Sequence, residues 1–500
     1  MNDKAHIRRL RSGVPGLDEV FGGGVPEFSF NLIAGSPGSG KTTLAQQIMF
    51  GLASPERPAL FFTVLGEPPF KMLRYQQQFS FFDVGKVNDS VRFLNLGEEV
   101  RDGGLAAVLR RIIEEVEATS PAIVVVDSFR SIAQAATRAG AEALHLQDFV
   151  QELGVHLTGW QATTFLVGEY QSSEGEENPV FTVADGLVWL YQSIDRDSMV
   201  RKMQVMKMRG QAPIPGLHTF RITDQGVQVF PRMIVSPDVQ QPAAAPRSTA
   251  VRLSIGVPPL DRMLGGGVPA GSSVLVTGPA GSGKTVLATR FIEAGVEAGE
   301  PGVIAVFEKR PVDYSQVVSR AFEGFVRDGR VGVLQTRPLD LSIDETLYEL
   351  TAMIERLGAK RVVIDSLSGF ELALAPTFRE DFRESLYRMV ALLTGLGVTV
   401  LMTAELEDSY TDLRFSPHGT AFLTDVIILQ RYVELSGQMK RMMAVVKVRG
   451  SAHSHDLHLY DITDEGIVIG ETLENFEGLL TGSPEPTSER SPRKRPGRNG

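Results

Sequence analysis

Cysteine is absent from all 500 residues, which excludes disulfides, thiolate metal sites and a cysteine nucleophile before any fold is considered. A long apolar run is also missing. The opening stretch, Met1 to Gly13, has charge but no apolar core of the kind a signal peptide needs, and no later segment keeps about 18 residues free of charge. These absences predict a cytoplasmic protein with no membrane contact. Positive charge is in deficit: 50 Lys and Arg against 60 Asp and Glu leave a formal net charge of -10, which argues against a broad electrostatic affinity for nucleic acid. No stretch interleaves aromatic and basic residues as a strand-binding groove would. What remains is an ordinary globular composition, 43% hydrophobic and 22% charged, able to bury a sizeable core.

The chain is one unit written twice. Gly13-Val-Pro-Gly-Leu-Asp-Glu-Val-Phe-Gly-Gly-Gly-Val-Pro26 returns as Gly256-Val-Pro-Pro-Leu-Asp-Arg-Met-Leu-Gly-Gly-Gly-Val-Pro269, an offset of 243 residues. Gly35 to Thr42 matches Gly278 to Thr285, Val124 to Ser128 matches Val362 to Ser366, and Lys207-Met-Arg-Gly210 matches Lys447-Val-Arg-Gly450. A repeat this long is a duplicated domain and not a solenoid unit. The expected organisation is a first domain over 1–235, a Pro-, Ala- and Gln-rich linker over 236–250, a second domain over 251–483, and a basic tail over 484–500 too poor in apolar residues to fold. Within each copy short β-branched runs alternate with helical stretches, the pattern of an α/β fold with a mainly parallel sheet flanked by helices. Phe30 to Ala34 and Ser273 to Thr277 read as strands entering glycine loops, with helices over Leu44 to Leu52 and Val286 to Ala298 beyond them.

Both glycine loops fit G-x-x-x-x-G-K-[ST] in full. The first comprises Gly35, Ser36, Pro37, Gly38, Ser39, Gly40, Lys41 and Thr42, followed by Thr43; the second comprises Gly278, Pro279, Ala280, Gly281, Ser282, Gly283, Lys284 and Thr285, followed by Val286. Glycines let backbone N–H groups curl around phosphate oxygens, the helix N-terminus adds a positive field, and Lys41 or Lys284 reaches the β/γ oxygens. Two ATP sites are therefore expected, with Mg2+ held by Thr42 and Asp127 in one and by Thr285 and Asp365 in the other. Asp127 and Asp365 each end an apolar run, which places a carboxylate at the strand end where ligands bind in open α/β sheets. A hydrolase further needs a carboxylate to orient the attacking water from a neighbouring strand end. Glu308 and Glu67 are the candidates, Glu67 sitting one residue further along and standing equally as a solvated surface glutamate.

These residues resemble the KaiC proteins, circadian-clock ATPases of the RecA superfamily, from about Arg11 to Pro484. Members open each domain with a signature like Gly13 to Pro26 and close it with a K-x-R-G strand; both occur twice. The resemblance implies two tandem RecA-like P-loop domains in a homo-oligomeric, hexameric ring. It also implies that Lys207, Arg209, Lys447 and Arg449 act on the nucleotide of the adjacent subunit, a task that suits arginine's permanent charge. Two departures matter. The family's adjacent glutamates are reduced to one per copy, Glu67 beside Gly66 and Glu308 beside Lys309. The adjacent Ser-Thr pair on which clock members autophosphorylate aligns with Ala421 and Phe422, which carry no hydroxyl.

The expectation is an ATP-assembled ring that hydrolyses ATP as a regulatory switch with an unidentified signalling partner. Three rivals stand beside it: a scaffold for which ATP is a structural ligand with little turnover, a serine/threonine kinase acting on a partner, and a recombinase-like DNA motor. His453, His455 and His458 lie within six residues of one another, but without further ligands they read as a polar hairpin face and not a metal site.

Overall fold

A computed structural model describes residues 7–64, 69–102, 104–132, 143–170, 179–195, 198–233, 251–307, 319–335, 341–374, 376–379, 382–406, 423–435, 437–464, 466–473, 476–477 and 485–486. The chain divides into two compact units, Met1–Met233 and Ile234–Gly500. Among the described residues each unit is built on a nine-stranded sheet.

In the first unit the strands are β1 (Phe30–Gly35), β2 (Ala59–Thr63), β3 (Val91–Asn95), β4 (Ile123–Asp127), β5 (Thr163–Glu169), β6 (Gly186–Asp195), β7 (Ser198–Met208), β8 (His218–Thr223) and β9 (Gly226–Phe230). Their order across the sheet is β3-β2-β4-β5-β1-β6-β7-β8-β9. Strands β3 through β6 in that order pair in parallel, and β7, β8 and β9 extend the sheet antiparallel. The second unit repeats the order with β10 (Ser273–Gly278), β11 (Gly302–Val306), β12 (Val331–Gln335), β13 (Arg361–Asp365), β14 (Thr399–Glu405), β15 (Val426–Leu435), β16 (Gln438–Val448), β17 (His458–Thr463) and β18 (Gly466–Thr472).

The sheet is buried on both faces, so its central strands carry runs of apolar residues pointing to both sides instead of alternating apolar with polar. In β2 and β4, Phe61 and Val125 join one core with Leu44 and Ile48 of helix α1 (Lys41–Leu52). Their neighbours Leu60, Phe62, Val124 and Val126 join the opposite core with Ile112 of α2 (Gly104–Thr119) and Leu153 of α3 (Ala143–Gly159). In the second unit α4 (Lys284–Glu297) takes the place of α1, and Leu287 and Phe291 pack against Val276, Ile304 and Val363.

Element boundaries depart from the sequence reading in one consistent way. Both phosphate-loop helices start at the lysine, not three or two residues later, because the preceding glycine turns the chain in the left-handed region and the next residue is already helical. Strands β2 and β11 end at Thr63 and Val306. Glu67 and Glu308 therefore fall four and two residues past their strands, and both lie outside the described residues, as do Ala421 and Phe422 and the stretch 236–250. Glu485–Pro486, within the stretch expected to be without structure, pairs antiparallel with Phe476–Glu477.

At the start of β13 the second unit replaces an apolar strand residue with a buried cation. Arg361, 2% exposed, donates to Glu300 Oε2 at 3.0 Å and to the carbonyls of Ser254 at 2.7 Å and Phe291 at 2.9 Å, with its guanidinium over the Phe291 ring. Ile123 occupies the matching position in the first unit. Replacing Arg361 with Ala strands these acceptors, and a loss of roughly 3 kcal/mol is expected from breaking a buried pair; a lowered urea midpoint for the full-length protein checks it.

Candidate nucleotide site

Each phosphate loop leaves the central parallel strand and turns into a helix whose first amides no side chain caps. Gly40 and Gly283 hold φ 97° and 92°, and a Cβ there would strike Ile222 or Ile462 at 2.5 and 2.7 Å, so only glycine closes the loop against the sheet. Uncapped N–H groups at a helix start form an anion site. The lysines fold back over the loop: Lys41 Nζ donates to Ser36 O at 2.8 Å, and Lys284 Nζ donates to Gly278 O and Pro279 O, each at 2.8 Å. Burial pulls the Lys41 amine below the usual lysine range, while the charges of Glu169 and Asp127 oppose that shift.

Thr42 Oγ1 donates to Asp127 Oδ2 at 2.6 Å, so the predicted pair of magnesium-holding side chains meets in the first unit. Burial is the main force raising the Asp127 carboxyl to about 6; the Thr42 hydrogen bond and Lys41 pull it down, and Glu169 pushes it further up. A site that raises a carboxylate in this way fits a divalent cation, whose charge would restore the ionised form. In the second unit Asp365 accepts a short hydrogen bond from Thr403 of β14, where the first unit has Val167.

The loops are also braced differently. In the second unit Ser282 Oγ donates to Gln430 Oε1 at 3.1 Å, Tyr460 Oη donates to Ser282 O at 2.6 Å, and Tyr432 Oη donates to Ala280 O at 3.3 Å. The first unit has Leu190, Phe220 and Gln192 at these positions, and Ser39 Oγ is buried without a partner among the described residues.

Two site residues escaped the sequence reading. Glu169 and Glu405 end β5 and β14 and pair in register with Gly35 and Gly278, the first glycines of the two loops. The repeat carried the signal, since Thr163 to Glu169 matches Thr399 to Glu405, but a lone strand-end glutamate has no motif around it.

The Lys-x-Arg pairs lie elsewhere. Lys207 pairs with Leu187 near the start of β6, and Met208 with Gly186, which itself lies beside Asn31 at the start of β1. Asn31 and Gly35 are four residue steps apart, roughly 13 Å along the strand. There Lys207 Nζ donates to Thr182 O at 3.0 Å and Arg209 Nη1 to Asp185 Oδ1 at 3.0 Å. Burial and the charge of Arg209 pull the Lys207 amine down, with Asp185 opposing. The second unit repeats the arrangement, with Lys447 Nζ donating to Thr424 O at 2.6 Å and Arg449 Nη1 3.6 Å from Asp425 Oδ1. Among the described residues no three metal-ligating side chains converge, and none of the histidines joins such a cluster.

A parallel sheet with a glycine loop and an uncapped helix at its central strand, present twice, defines a tandem P-loop nucleotide-binding protein of RecA-like α/β fold. A family model described as "ATPase: KaiC" matches residues 10–234 and again 253–474, and the chain belongs to that family. Among curated relatives it is 28% identical to the circadian clock oscillator protein KaiC of Picosynechococcus sp., over 96% of this chain and 92% of that one. It is 29% identical to the protein of that name from Rippkaea orientalis, over 97% and 92%, and 27% identical to that of Synechococcus elongatus, over 97% and 93%. No helix among the described residues is long and apolar enough to cross a membrane.

The Asp127 shift sets a pH dependence in metal-free protein. Below about pH 4 folded and unfolded chains both hold the proton; from there to about pH 6 the unfolded chain ionises first, so stability falls as pH rises, and above 6 the full cost stands. Asp127→Asn, measured in EDTA by urea denaturation, is expected to gain up to about 3 kcal/mol at pH 7.5, to gain nothing near pH 4, and to weaken Mg2+-dependent nucleotide binding.

Proposed function

We propose that the chain hydrolyses ATP in a homo-oligomeric ring, hexameric as the family resemblance implies, with a nucleotide between neighbouring subunits, and that the ring serves as a regulatory switch for a protein partner. The placement of the Lys-x-Arg pairs carries this reading. In both units they stand at the end of the sheet away from their own phosphate loop, so a role at a nucleotide requires another copy.

Gly35 to Thr43 and Gly278 to Val286 cradle the phosphates. Bound Mg2+ supplies charge neutralisation at the β/γ oxygens, and Thr42 with Asp127, and Thr285 with Asp365, are the side chains that would hold it. Lys41 and Lys284 exchange their loop-carbonyl contacts for phosphate oxygens. Glu308, and Glu67 in the first unit, orient the attacking water; Glu169 and Glu405 flank the same loops. Lys447 and Arg449, with Lys207 and Arg209, act from the neighbour on charge developing at the γ-phosphate. The relatives' names connect them to a circadian oscillator, but the hydroxyl-free Ala421 and Phe422 leave no self-phosphorylation at that place, so turnover is favoured over a clock-type phosphorylation cycle.

Phosphate release and protein-bound label are scored together with γ-labelled ATP and Mg2+. Free phosphate without labelled protein is expected, and labelled protein would move the assignment to a kinase. Lys284→Ala should cut second-site turnover by roughly a hundredfold. Subunits carrying Arg449→Ala, assembled together with Lys284→Ala subunits, should release more phosphate than the two preparations apart; no gain rejects action from the neighbour.

A further inference from the structure

Each Lys-x-Arg pair is tied to an aspartate that the reaction described above does not use. Asp185 precedes β6 and Asp425 precedes β15, on the strands that flank β1 and β10. Asp185 Oδ2 accepts from Phe30 N at 3.1 Å, and Phe30 opens the strand that runs into the first phosphate loop; Oδ1 of the same carboxylate accepts from Arg209. Asp425 Oδ2 accepts from Ser273 N at 3.1 Å and from Ser273 Oγ at 3.2 Å, and its Oδ1 faces Arg449. The arginine's own amide returns to the aspartate carbonyl, Arg209 N to Asp185 O at 2.9 Å and Arg449 N to Asp425 O at 2.8 Å. The aspartate is thus fixed by strand backbone on one side and grips the arginine at both backbone and side chain on the other.

Stability does not account for the pairing. The arginine side chains are 62% and 71% exposed, and ion pairs so placed contribute little to folding. A carboxylate so placed biases an exposed, rotamer-rich guanidinium toward one direction, which would lower the entropy cost of ordering it against a ligand. We propose that Asp185 and Asp425 are positioning residues that aim Arg209 and Arg449 at the nucleotide of the neighbouring copy while anchoring the first residue of the strand that carries their own phosphate loop. The inference rests on the action from the neighbour proposed above. It adds a mechanical link, since one carboxylate joins the strand bearing a subunit's own site to the arginine that serves the next.

Asp425→Asn is the informative substitution, because the amide oxygen still accepts from Ser273 N while the charge facing Arg449 is gone. Full-length Asp425→Asn is expected to lose about tenfold in second-site kcat, with KM for MgATP within about twofold. Assembled together with Lys284→Ala subunits, it should release more phosphate than the two apart, because a site made of an Asp425→Asn subunit's loop and a Lys284→Ala subunit's Asp425 and Arg449 is complete. Damage confined to the variant's own β10 would not be rescued. Wild-type turnover by Asp425→Asn overturns the proposal. So does a mixture that shows no gain while the Arg449→Ala and Lys284→Ala mixture does, because Asp425 would then act only within its own subunit. If neither mixture gains, the neighbour-acting arginine itself falls, and the proposal falls with it.

Discussion

A helix that begins without a cap is the constraint from which the rest of each unit follows. Its first amides have no intrahelical partner, and leaving them for a phosphate means that other parts of the fold must hold the loop open in shape. Left-handed glycines at Gly40 and Gly283 supply the turn, and an isoleucine of the C-terminal hairpin, Ile222 or Ile462, fills the space that a side chain would need. The lysine amine covers the loop carbonyls from inside. The sheet beneath must then be parallel at its centre, because only there do strand ends converge with helix starts on one edge.

The antiparallel extension solves a different problem. A strand returning from β6 as β7 carries its last residues back to the opposite edge of the sheet, so residues at its end are removed from the phosphate loop by construction. Lys207 and Arg209, and their counterparts Lys447 and Arg449, sit on that edge with exposed guanidinium groups. Exposed cations at one edge and an anion-binding loop at the other are the two halves that the proposed composite site would need. The two do not meet within one unit, so the proposed site would be completed only by association of copies.

The architecture and the phosphate loops were legible because they rest on local rules: β-branched runs, glycine spacing and a repeat that writes each rule twice. Asp127 and Asp365 were legible for the same reason, each closing an apolar strand. Glu169, Glu405, Asp185 and Asp425 were not, because nothing in their immediate sequence marks them; their place comes from which strand lies beside which. Strand order is a long-range property, and β5 enters between β1 and β4 from more than thirty residues beyond β4. Helix starts were missed by two or three residues because periodicity sees the first buried turn, while the helix begins at the lysine, one residue past the glycine.

The two sites, alike in motif, differ in what restrains them. In the first, Asp127 is gripped by Thr42 on the loop helix itself, and the hydroxyl of the loop serine Ser39 has no hydrogen-bond partner among the described residues. In the second, Asp365 is held by Thr403 on a neighbouring strand, and Ser282 is held from two directions by Gln430 and Tyr460. The Thr42 hydroxyl that donates to Asp127 keeps its lone pairs, so a cation taking that oxygen would leave the hydrogen bond in place, whereas Asp365 is tied to the sheet through a residue outside the loop. Hydrogen bonds from the sheet restrict the loop atoms they reach, here with Gln430 Nε2 buried without a partner among the described residues. The second loop is therefore tied to the sheet by side-chain hydrogen bonds for which the first unit has Leu190, Phe220 and Gln192 at the matching positions, and ordering it around a ligand would cost less.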